Sequence, residues 1–370
     1  MIKVTLSNEI LKYITLIDEN RFNVSNIKLT KTVVNKLRKN SKKRSSYASN
    51  KIEGNPLSET QVDEVIDMDE KKHFLKPEQE VRNYFLALNY LEECMKKKAP
   101  FSKELILQVQ KLIEKGASKE KIGLRGPMPP GVLFAVYDSK TGNPDYIPPE
   151  ACEVSDLLDE LVDYVNNTED HPLIVAAIVH YQLVTIHPFE DGNGRTARLM
   201  SGYILDIKGY GFNGIGSLEE YFAYDINEYY ESIQMNLPAL YYAGRNDPPH
   251  PEIWICYFLR MVLLYSNKVK EMQMNSNTNE IEGSLSYLKR KEKELILFLL
   301  SKNKREFRPI DISKEISVTN KTVINRLSIL VKNGFVLPNL ANKRIRSYCL
   351  SDFALINKEE IIQQIKKESI

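Results

Sequence analysis

Apolar residues recur at helical spacing through most of the chain. The run VRNYFLALNYLEECM (81–95) places several of them on one helical face, namely Val81, Tyr84, Phe85, Leu88 and Leu91. A second helix is predicted from Ser102, a suitable N-terminal cap, to Gly116, a residue at which helices commonly end. PLIVAAIVHYQLVTI (172–186) is apolar on nearly all sides and predicts a buried helix, which a helix over 196–207 follows. The expected fold class is mainly α.

Residues 126–150 interrupt the helical pattern with six prolines and three glycines. Two short β-prone runs, Val132–Tyr137 and Asp145–Ile147, flank the turn pair Gly142-Asn143. This arrangement predicts a small β-hairpin. KGYGFNGIG (208–216) also satisfies the GxGxxG spacing, but it follows a helix rather than a strand, so a loop is expected there and not a dinucleotide site.

The domain organisation is read from a change in composition near residue 275. NSNTNEIEGS (275–284) is polar and nearly free of large apolar side chains, which predicts a linker over 273–284. We therefore expect an N-terminal helical region over 1–115, a core over 116–272 and a separate domain over 285–370.

The last domain is predicted to be a winged helix-turn-helix. Its helical patterns lie at 289–303, in a short segment from Ile310, and from Asn320 to Asn333, and two strand-like runs follow at 335–337 and 345–350. Three helices followed by a hairpin are typical of that fold.

Basic residues dominate one stretch of this domain. Seven lie between residues 314 and 346, against the single acid Glu315: Lys314, Lys321, Arg326, Lys332, Lys343, Arg344 and Arg346. Such a cluster suggests contacts with the phosphates of DNA. A protein-binding surface or a merely solvated helix face remain alternatives.

The composition limits the class of protein and the compartment in which we expect it. The 370 residues carry a net charge of +2, with 42% hydrophobic and 27% charged residues, as in soluble globular proteins. The four cysteines (Cys94, Cys152, Cys256 and Cys349) form no CxxC pair, which argues against a zinc site and a disulfide framework. The amino terminus lacks the pattern of a secretory signal, and the apolar run at 253–265 is too short to span a membrane. We expect a cytoplasmic protein without a membrane partner.

Residues 187–198, HPFEDGNGRTAR, concentrate the candidate chemistry. The glycines at 192 and 194 let backbone N–H groups converge at a helix N-terminus, where the helix dipole favours phosphate. Arg195 and Arg198, three residues apart, can add guanidinium donors on the same side. Asp191 is suited to hold a divalent cation against phosphate oxygens, and His187 to accept a proton near neutral pH. Together these groups predict nucleotidyl or phosphoryl transfer.

This stretch matches the motif HPFx[D/E]GNGRxxR at every defined position, and so the chain resembles the Fic family, whose members typically transfer AMP from ATP to a protein hydroxyl. The resemblance covers about residues 120–240 and implies a Fic-type helical core with Mg²⁺ as cofactor and ATP as substrate.

The resemblance also implies a role for each matching residue. His187 would be the base that activates the target hydroxyl, Phe189 would anchor the loop, and Asp191 would bind Mg²⁺. Gly192, Asn193 and Gly194 would cradle the α-phosphate. Arg195 and Arg198 would hold the outer phosphates.

A second resemblance lies upstream. SSYASNKIEGN (45–55) contains Ser49, Glu53 and Gly54 at the positions of the family's inhibitory motif, [S/T]xxxE[G/N]. Because it precedes the core, it is similar to the class with an N-terminal inhibitory helix, here about 45–56. A carboxylate paired with Arg198 would occupy donors that the γ-phosphate needs.

Two further features take their meaning from the family. The hairpin at 132–147 resembles the family's flap, which would present a target segment by strand addition, although a purely structural hairpin is the alternative. Tyr229 and Tyr230, together with Asn227, lie where family members often build the adenine pocket, although tyrosines at this spacing are equally typical of a core.

The sequence therefore favours a protein adenylyltransferase that modifies a Tyr, Ser or Thr hydroxyl of a target protein or of itself, restrained by Glu53. Two alternatives stay open. One is a DNA-binding regulator that uses the Fic-like core as a nucleotide sensor, and the other is an enzyme that removes AMP from a modified protein. His187 favours an enzyme, since a sensor needs no proton acceptor. Family members are often dimers, so a homodimer is a further partner that the resemblance implies.

Overall fold

The computed structural model describes residues 2–27, 29, 31–68, 73–118, 122–137, 142–238, 247–302, 306–341 and 344–368. The chain divides into two compact units. The first comprises Met1–Phe22 and Asn35–Val269, and the second comprises Asn23–Val34 and Lys270–Ile370.

Helices account for most of the chain up to residue 286. They are α1 (Asn8–Asn26), α2 (Lys31–Ile52), α3 (Glu59–Asp67), α4 (Lys76–Lys96), α5 (Lys103–Glu114), α6 (Val154–Asn167), α7 (Pro172–Ile186), α8 (Asn193–Ile207), α9 (Glu219–Tyr224), α10 (Ile226–Gln234) and α11 (Pro251–Ser286). The predicted start of α5 is confirmed, because the Ser102 hydroxyl accepts a hydrogen bond from the N–H of Leu105. Gly116 follows its end with a positive φ of 74°.

The core of the first unit is built around α7 and α8, which pack against each other. As predicted, α7 is buried on nearly every side. His171 caps its N-terminus by accepting from the N–H of Leu173, and Pro172 takes the first helical position, where no N–H is needed. Trp254 of α11 donates to the carbonyl of Ala177 at 2.8 Å. A rigid, fully enclosed helix therefore supports the loop that follows it.

The predicted hairpin is present but shorter than its β-prone runs. Strand β1 (Val136–Tyr137) pairs antiparallel with β2 (Pro144–Tyr146), and Gly142 has a φ of 68°. The prolines that flank the strands lack an N–H, which prevents the ladder from extending. Residues 138–141, at the tip of the predicted hairpin, lie outside the described part of the chain.

The segment predicted as a linker, 275–284, is helical and lies within α11. The reason is a buried stripe with a spacing of four residues, formed by Gln273, Asn277, Ile281 and Leu285. Because two members of this stripe are polar, the pattern of hydrophobic residues alone does not show that the segment is helical. The Nδ2 of Asn277 donates to Oδ1 of Asn357 at 3.0 Å.

The second unit combines helices with a three-stranded sheet. Its elements after α11 are α12 (Arg290–Ser301), β3 (Glu306–Phe307), α13 (Pro309–Glu315), α14 (Asn320–Lys332), β4 (Val336–Ala341), β5 (Arg344–Leu350), α15 (Asp352–Ile356) and α16 (Lys358–Glu368). The sheet order is β3-β5-β4, all antiparallel. Leu295, Leu299, Val323 and Leu327 belong to its own hydrophobic core. Strand β3 and helices α15 and α16 are additions that the hydrophobic pattern did not predict.

No helix among the described residues combines the length and the apolar character that crossing a bilayer requires.

Candidate active site

The loop between α7 and α8 is closed by one side chain. The Oδ1 of Asn193 accepts from the N–H of Phe189 at 2.9 Å, and its Nδ2 donates to the carbonyl of Phe189 at 2.8 Å. The ring of Phe189 is fully buried, which anchors the loop in the core as the family resemblance implied. The Asn193 carboxamide is therefore engaged in holding the loop.

The end of this loop forms a helix N-terminus. Helix α8 starts at Asn193, three residues earlier than the hydrophobic pattern predicted, so Gly194 and Arg195 lie in its first turn. Gly192 precedes it with a φ of 82°, a backbone conformation that favours glycine. First-turn N–H groups have no partner within their own helix, and the dipole is positive there. This geometry suits an anion.

His187 lies at the C-terminal end of α7 with a φ of 48°, which turns its ring out of the helix. Its Nδ1 lies 3.2 Å from the carbonyl of Val184. Burial lowers the pKa of His187 to about 4, against the opposing effect of the Val184 carbonyl, and the positive charge of Arg125 lowers it further. The imidazole is neutral at pH 7, and when Nδ1–H donates to Val184, Nε2 keeps a lone pair that can accept a proton.

Arg125, which sequence reasoning missed, ties this loop to the proline-rich segment that carries the hairpin. Its Nε donates to the carbonyl of His187 at 2.8 Å, its backbone N–H donates to Pro188 at 2.9 Å, and its Nη2 donates to the carbonyl of Pro149. The guanidinium also lies 4.8 Å from the centre of the Phe134 ring. Nothing in the sequence around residue 125 signals these contacts.

Arg195 is paired with two carboxylates. Its Nη2 lies 2.9 Å from Oε1 of Glu114 and 3.1 Å from Oδ1 of Asp191. The side chain of Arg195 is only 5% exposed, and its Nε and Nη1 have no hydrogen-bond partner among the described residues. Two buried, unpartnered donors next to a helix N-terminus are free to bind an anion.

Glu114 is a second residue that sequence reasoning missed. It ends α5 and its side chain is almost fully buried. Burial raises its pKa to about 7 although Arg195 acts in the opposite direction. A Cβ on residue 192 would lie 2.8 Å from Oε1 of Glu114, so the glycine at 192 permits this close approach.

Arg198 is held by the two residues of the predicted inhibitory motif. Its Nη2 lies 2.6 Å from Oε1 of Glu53 and 3.1 Å from the carbonyl of Ser49, and its Nε donates to the Ser49 hydroxyl at 2.8 Å. The Arg198 side chain is 1% exposed. Glu53 also approaches the first turn of α8, since a Cβ on residue 194 would collide with its Oε1.

The two tyrosines of the predicted adenine pocket differ in exposure. Tyr229 is buried, and its hydroxyl lies 3.1 Å from Nε2 of His180 and 3.4 Å from Nη1 of Arg198. His180 is fully buried, and burial lowers its pKa well below the usual value, so it is neutral. Tyr230 is 48% exposed, and its pKa is raised by burial and by the charge of Glu53. Only Tyr230 of the pair presents an accessible ring.

Asp191 is the one carboxylate of the motif suited to a cation. Its Oδ1 accepts from the N–H of Gly192 at 2.8 Å, and its side chain is 33% exposed. The described residues contain no group of three or more His, Cys, Asp or Glu side chains placed to bind a metal. Mg²⁺ commonly takes one or two carboxylates and completes its shell with water and substrate phosphates. The donor set fits Mg²⁺ that arrives with a nucleotide.

Comparisons with known sequences agree with this geometry. A model of the Fic/DOC family matches residues 100–205, which include the whole loop between α7 and α8. A relative from Drosophila grimshawi, described as "Protein adenylyltransferase Fic", is 27% identical over 201 residues, which are 52% of this chain and 39% of that protein. The protein of the same description from Culex quinquefasciatus is 43% identical over 68 residues, 18% of this chain and 14% of that protein. The chain thus spans well under half of the length of these relatives.

Solved structures extend the likeness to the fold. A Fic family protein from Desulfovibrio desulfuricans G20 covers 95% of this chain and 98% of its own, with a TM-score of 0.61 and 20% identity. Fic-1 (residues 134–508) from C. elegans covers 72% of this chain and 71% of its own, with a TM-score of 0.53 and 24% identity. Residues 100–205 of this chain therefore match the Fic/DOC family model, and these solved structures share the fold.

Proposed function

We propose that this protein transfers AMP from ATP to a hydroxyl side chain of a protein and that Glu53 restrains the reaction. The observation that carries the proposal is the junction of α7 and α8. The neutral imidazole of His187 lies at the C-terminal end of α7. The N-terminus of α8, which is suited to an anion, carries two buried arginines. A proton acceptor beside a phosphate site serves transfer to a hydroxyl, whereas a nucleotide sensor needs only the phosphate site.

In the proposed step, the target hydroxyl oxygen attacks the α-phosphorus of ATP. The new P–O bond forms as the bond between the α-phosphorus and the bridging oxygen breaks, and pyrophosphate leaves. Nε2 of His187 takes the hydroxyl proton. Its low pKa keeps the acceptor free at neutral pH, while its contact with Val184 orients the ring.

The remaining residues bind and orient the phosphates. The first-turn N–H groups of α8, including that of Gly194, receive the α-phosphate, while Asn193 and Phe189 keep the loop in shape. Arg195 and Arg198 bind the outer phosphates with guanidinium donors. Asp191 would hold Mg²⁺, which would supply positive charge against the phosphates when bound. Tyr230 lines the base side of the site.

Restraint by Glu53 follows from competition for the same donors. The Glu53 carboxylate pairs with Arg198 and lies against Gly194, where the phosphates would bind. A phosphate entering this space would find the Arg198 donors already engaged, and the Glu53 carboxylate would repel it. ATP therefore binds productively only after Glu53 moves away.

The substrate class is a protein with an accessible hydroxyl. Support comes from the description of relatives as protein adenylyltransferases and from the hairpin, whose β1 has an exposed Tyr137 at its end. A two-stranded ribbon has free edges that can pair with an extended segment and bring its hydroxyl to His187.

The test is label transfer from ATP labelled at the α-phosphate, with Mg²⁺, to the protein itself and to the proteins of a cell lysate. The variants are wild type, Glu53→Ala, and Glu53→Ala combined with His187→Ala. Glu64→Ala, an exposed glutamate on α3, is the matched control. We expect strong labelling only with Glu53→Ala, a mass gain of one AMP on the labelled proteins, and none when His187 is also replaced. Absence of label on every protein with Glu53→Ala would contradict AMP transfer.

The reverse reaction is distinguished with the labelled products. Wild-type protein is added to purified AMP-modified protein without ATP. Release of AMP that needs both Glu53 and His187 would assign the removal reaction to the wild type, with Glu53 orienting water rather than only blocking ATP. No release is the result expected from the proposal.

A further inference from the structure

The second unit presents a helix whose outer face has no partner among the described residues. Helix α14 buries Val323, Leu327 and Leu330 in the core of the unit. The exposed residues of this helix include Asn320, Lys321, Ile324, Asn325, Ser328 and Ile329. A helix of 13 residues is therefore available for binding, with polar side chains and two isoleucines on its exposed surface.

Several positive charges around α14 have no acidic partner among the described residues. Five basic residues form no ion pair or hydrogen bond through their side chains among the described residues: Lys314, Lys321, Arg326, Lys332 and Arg346. The acids nearby are already paired, because Glu315 binds Lys302 and Asp311 binds Arg308 at 2.8 Å. Lys343 and the side chain of Arg344, also in the predicted basic cluster, lie outside the described part of the chain.

The basic residues of α2 in the first unit behave differently. Lys39 and Lys43 lie 2.9 Å and 2.8 Å from the carboxylate of Asp67, and Lys42 pairs with Glu92. Those cations stabilise contacts between helices. Among the described residues, the cations around α14 have no such role, so a polyanionic partner would supply counter-charge.

We propose that α14 binds double-stranded DNA in the major groove. The topology supports this, since in helix-turn-helix folds the second helix of the motif enters the groove and α14 holds that position after α13. Lys321 and Lys332 are separated along α14 by about 16 Å, a length over which a groove presents several phosphates.

The side chains between the cations suit base edges. Asn320 and Asn325 can donate to and accept from bases, and the exposed Ile324 can contact a thymine methyl group. An acidic protein surface could also satisfy the cations, but it would not need a row of amide and hydroxyl groups on a helix that lies between them. Double-stranded DNA offers phosphates to the cations and base edges to the polar side chains of α14.

The test uses the full-length chain and a fluorescein-labelled duplex of mixed sequence, with binding followed by anisotropy between about 50 and 200 mM salt. Lys321→Ala with Lys332→Ala removes two proposed phosphate contacts. Lys366→Ala with Lys367→Ala, two exposed residues of α16 in the same unit, makes the same change in charge elsewhere. Circular dichroism checks that each variant folds.

We expect the wild type and the α16 control to bind, with an affinity that falls linearly with salt on logarithmic scales. Each lost phosphate contact should reduce that slope by about 1, so the α14 variant should lose about 2 and bind more weakly at every salt concentration. Three results would overturn the proposal: no binding at the lowest salt, equal loss in both double variants, or heparin bound as tightly as duplex. An acidic protein partner would then become the favoured occupant. Because AMP transfer is measured separately, failure here leaves the proposed activity untouched.

Discussion

Oε1 of Glu53 lies 2.6 Å from Nη2 of Arg198, a residue 145 positions further along the chain. The Arg198 side chain is almost fully buried, whereas that of Glu53 is 34% exposed. The arginine is therefore fixed by Ser49 and Tyr229, and the glutamate is the partner that can leave. This asymmetry suits a restraint that another molecule can displace.

Replacing Glu53 by alanine should have opposite effects on the free and the ATP-bound protein. Without ATP, Arg198 loses a partner, and we expect a loss of about 1 to 2 kcal/mol of stability, less than for a fully buried pair because Glu53 is partly exposed. With ATP and Mg²⁺, affinity should rise by at least about 10-fold, or about 1.4 kcal/mol. Thermal melting and titration calorimetry, with Glu64→Ala as control, measure both. Unchanged ATP affinity would contradict the restraint.

Tyr229→Phe should impair the reaction by releasing Arg198. The phenylalanine keeps the ring packing but loses the hydroxyl between Arg198 and His180. In the Glu53→Ala background we expect the KM for ATP to rise and the rate to fall about 10-fold, since a buried donor is left without its partner. Tyr257→Phe is the matched control, because Tyr257 is a buried neighbour whose hydroxyl has no hydrogen-bond partner within the described part of the chain. Equal effects of the two variants would indicate packing alone.

The pH dependence should reflect the lowered pKa of His187. Its value of about 4 leaves the base free from pH 8 down to about 5. In Glu53→Ala, kcat/KM should therefore show no decline near 6.5 that is due to this histidine. A decline with a midpoint near 6.5 would show that the imidazole is not buried as described.

The lowered pKa of His187 also makes the stability of the protein depend on pH. Between about pH 4 and 6.5 the unfolded chain protonates His187 while the folded chain does not, so this residue makes stability fall as the pH falls through that window. His187→Gln, which cannot titrate, should weaken the dependence of the melting temperature on pH in that range. An identical dependence in both proteins would contradict the assignment.

Arg125→Lys should loosen the hairpin segment from the motif loop. Lysine keeps the charge but cannot span the carbonyls of His187 and Pro149 at once, because it lacks the planar fork of donors. We expect faster proteolysis between residues 126 and 149 and a lower rate of AMP transfer, with ATP affinity nearly unchanged. Arg308→Lys in the second unit, where the arginine pairs with Asp311, is the control. Unchanged proteolysis would show that Arg125 does not hold the segment.

Local pattern was sufficient for the elements that carry the motif. Helix α7 was predictable within its bounds, because an uninterrupted apolar run after a proline leaves few alternatives. The motif residues between 187 and 198 are neighbours in sequence, so their proximity needed no tertiary information. The buried stripe of α11 escaped prediction because two of its members, Gln273 and Asn277, are polar, and the burial of Asn277 involves a specific partner, Asn357, that is distant in sequence.

The sequence by itself determined the helices around the motif, the loop with its glycines, and the family resemblance that pointed to Glu53. Only the tertiary structure decided which distant side chains meet that loop: Glu114 at Arg195, Arg125 at the carbonyl of His187, and Tyr229 at Arg198. The physical reason is the distance along the chain over which each effect acts. Periodicity and capping are properties of adjacent residues, whereas a buried charge takes whichever partner the packing of the helices brings within hydrogen-bond distance.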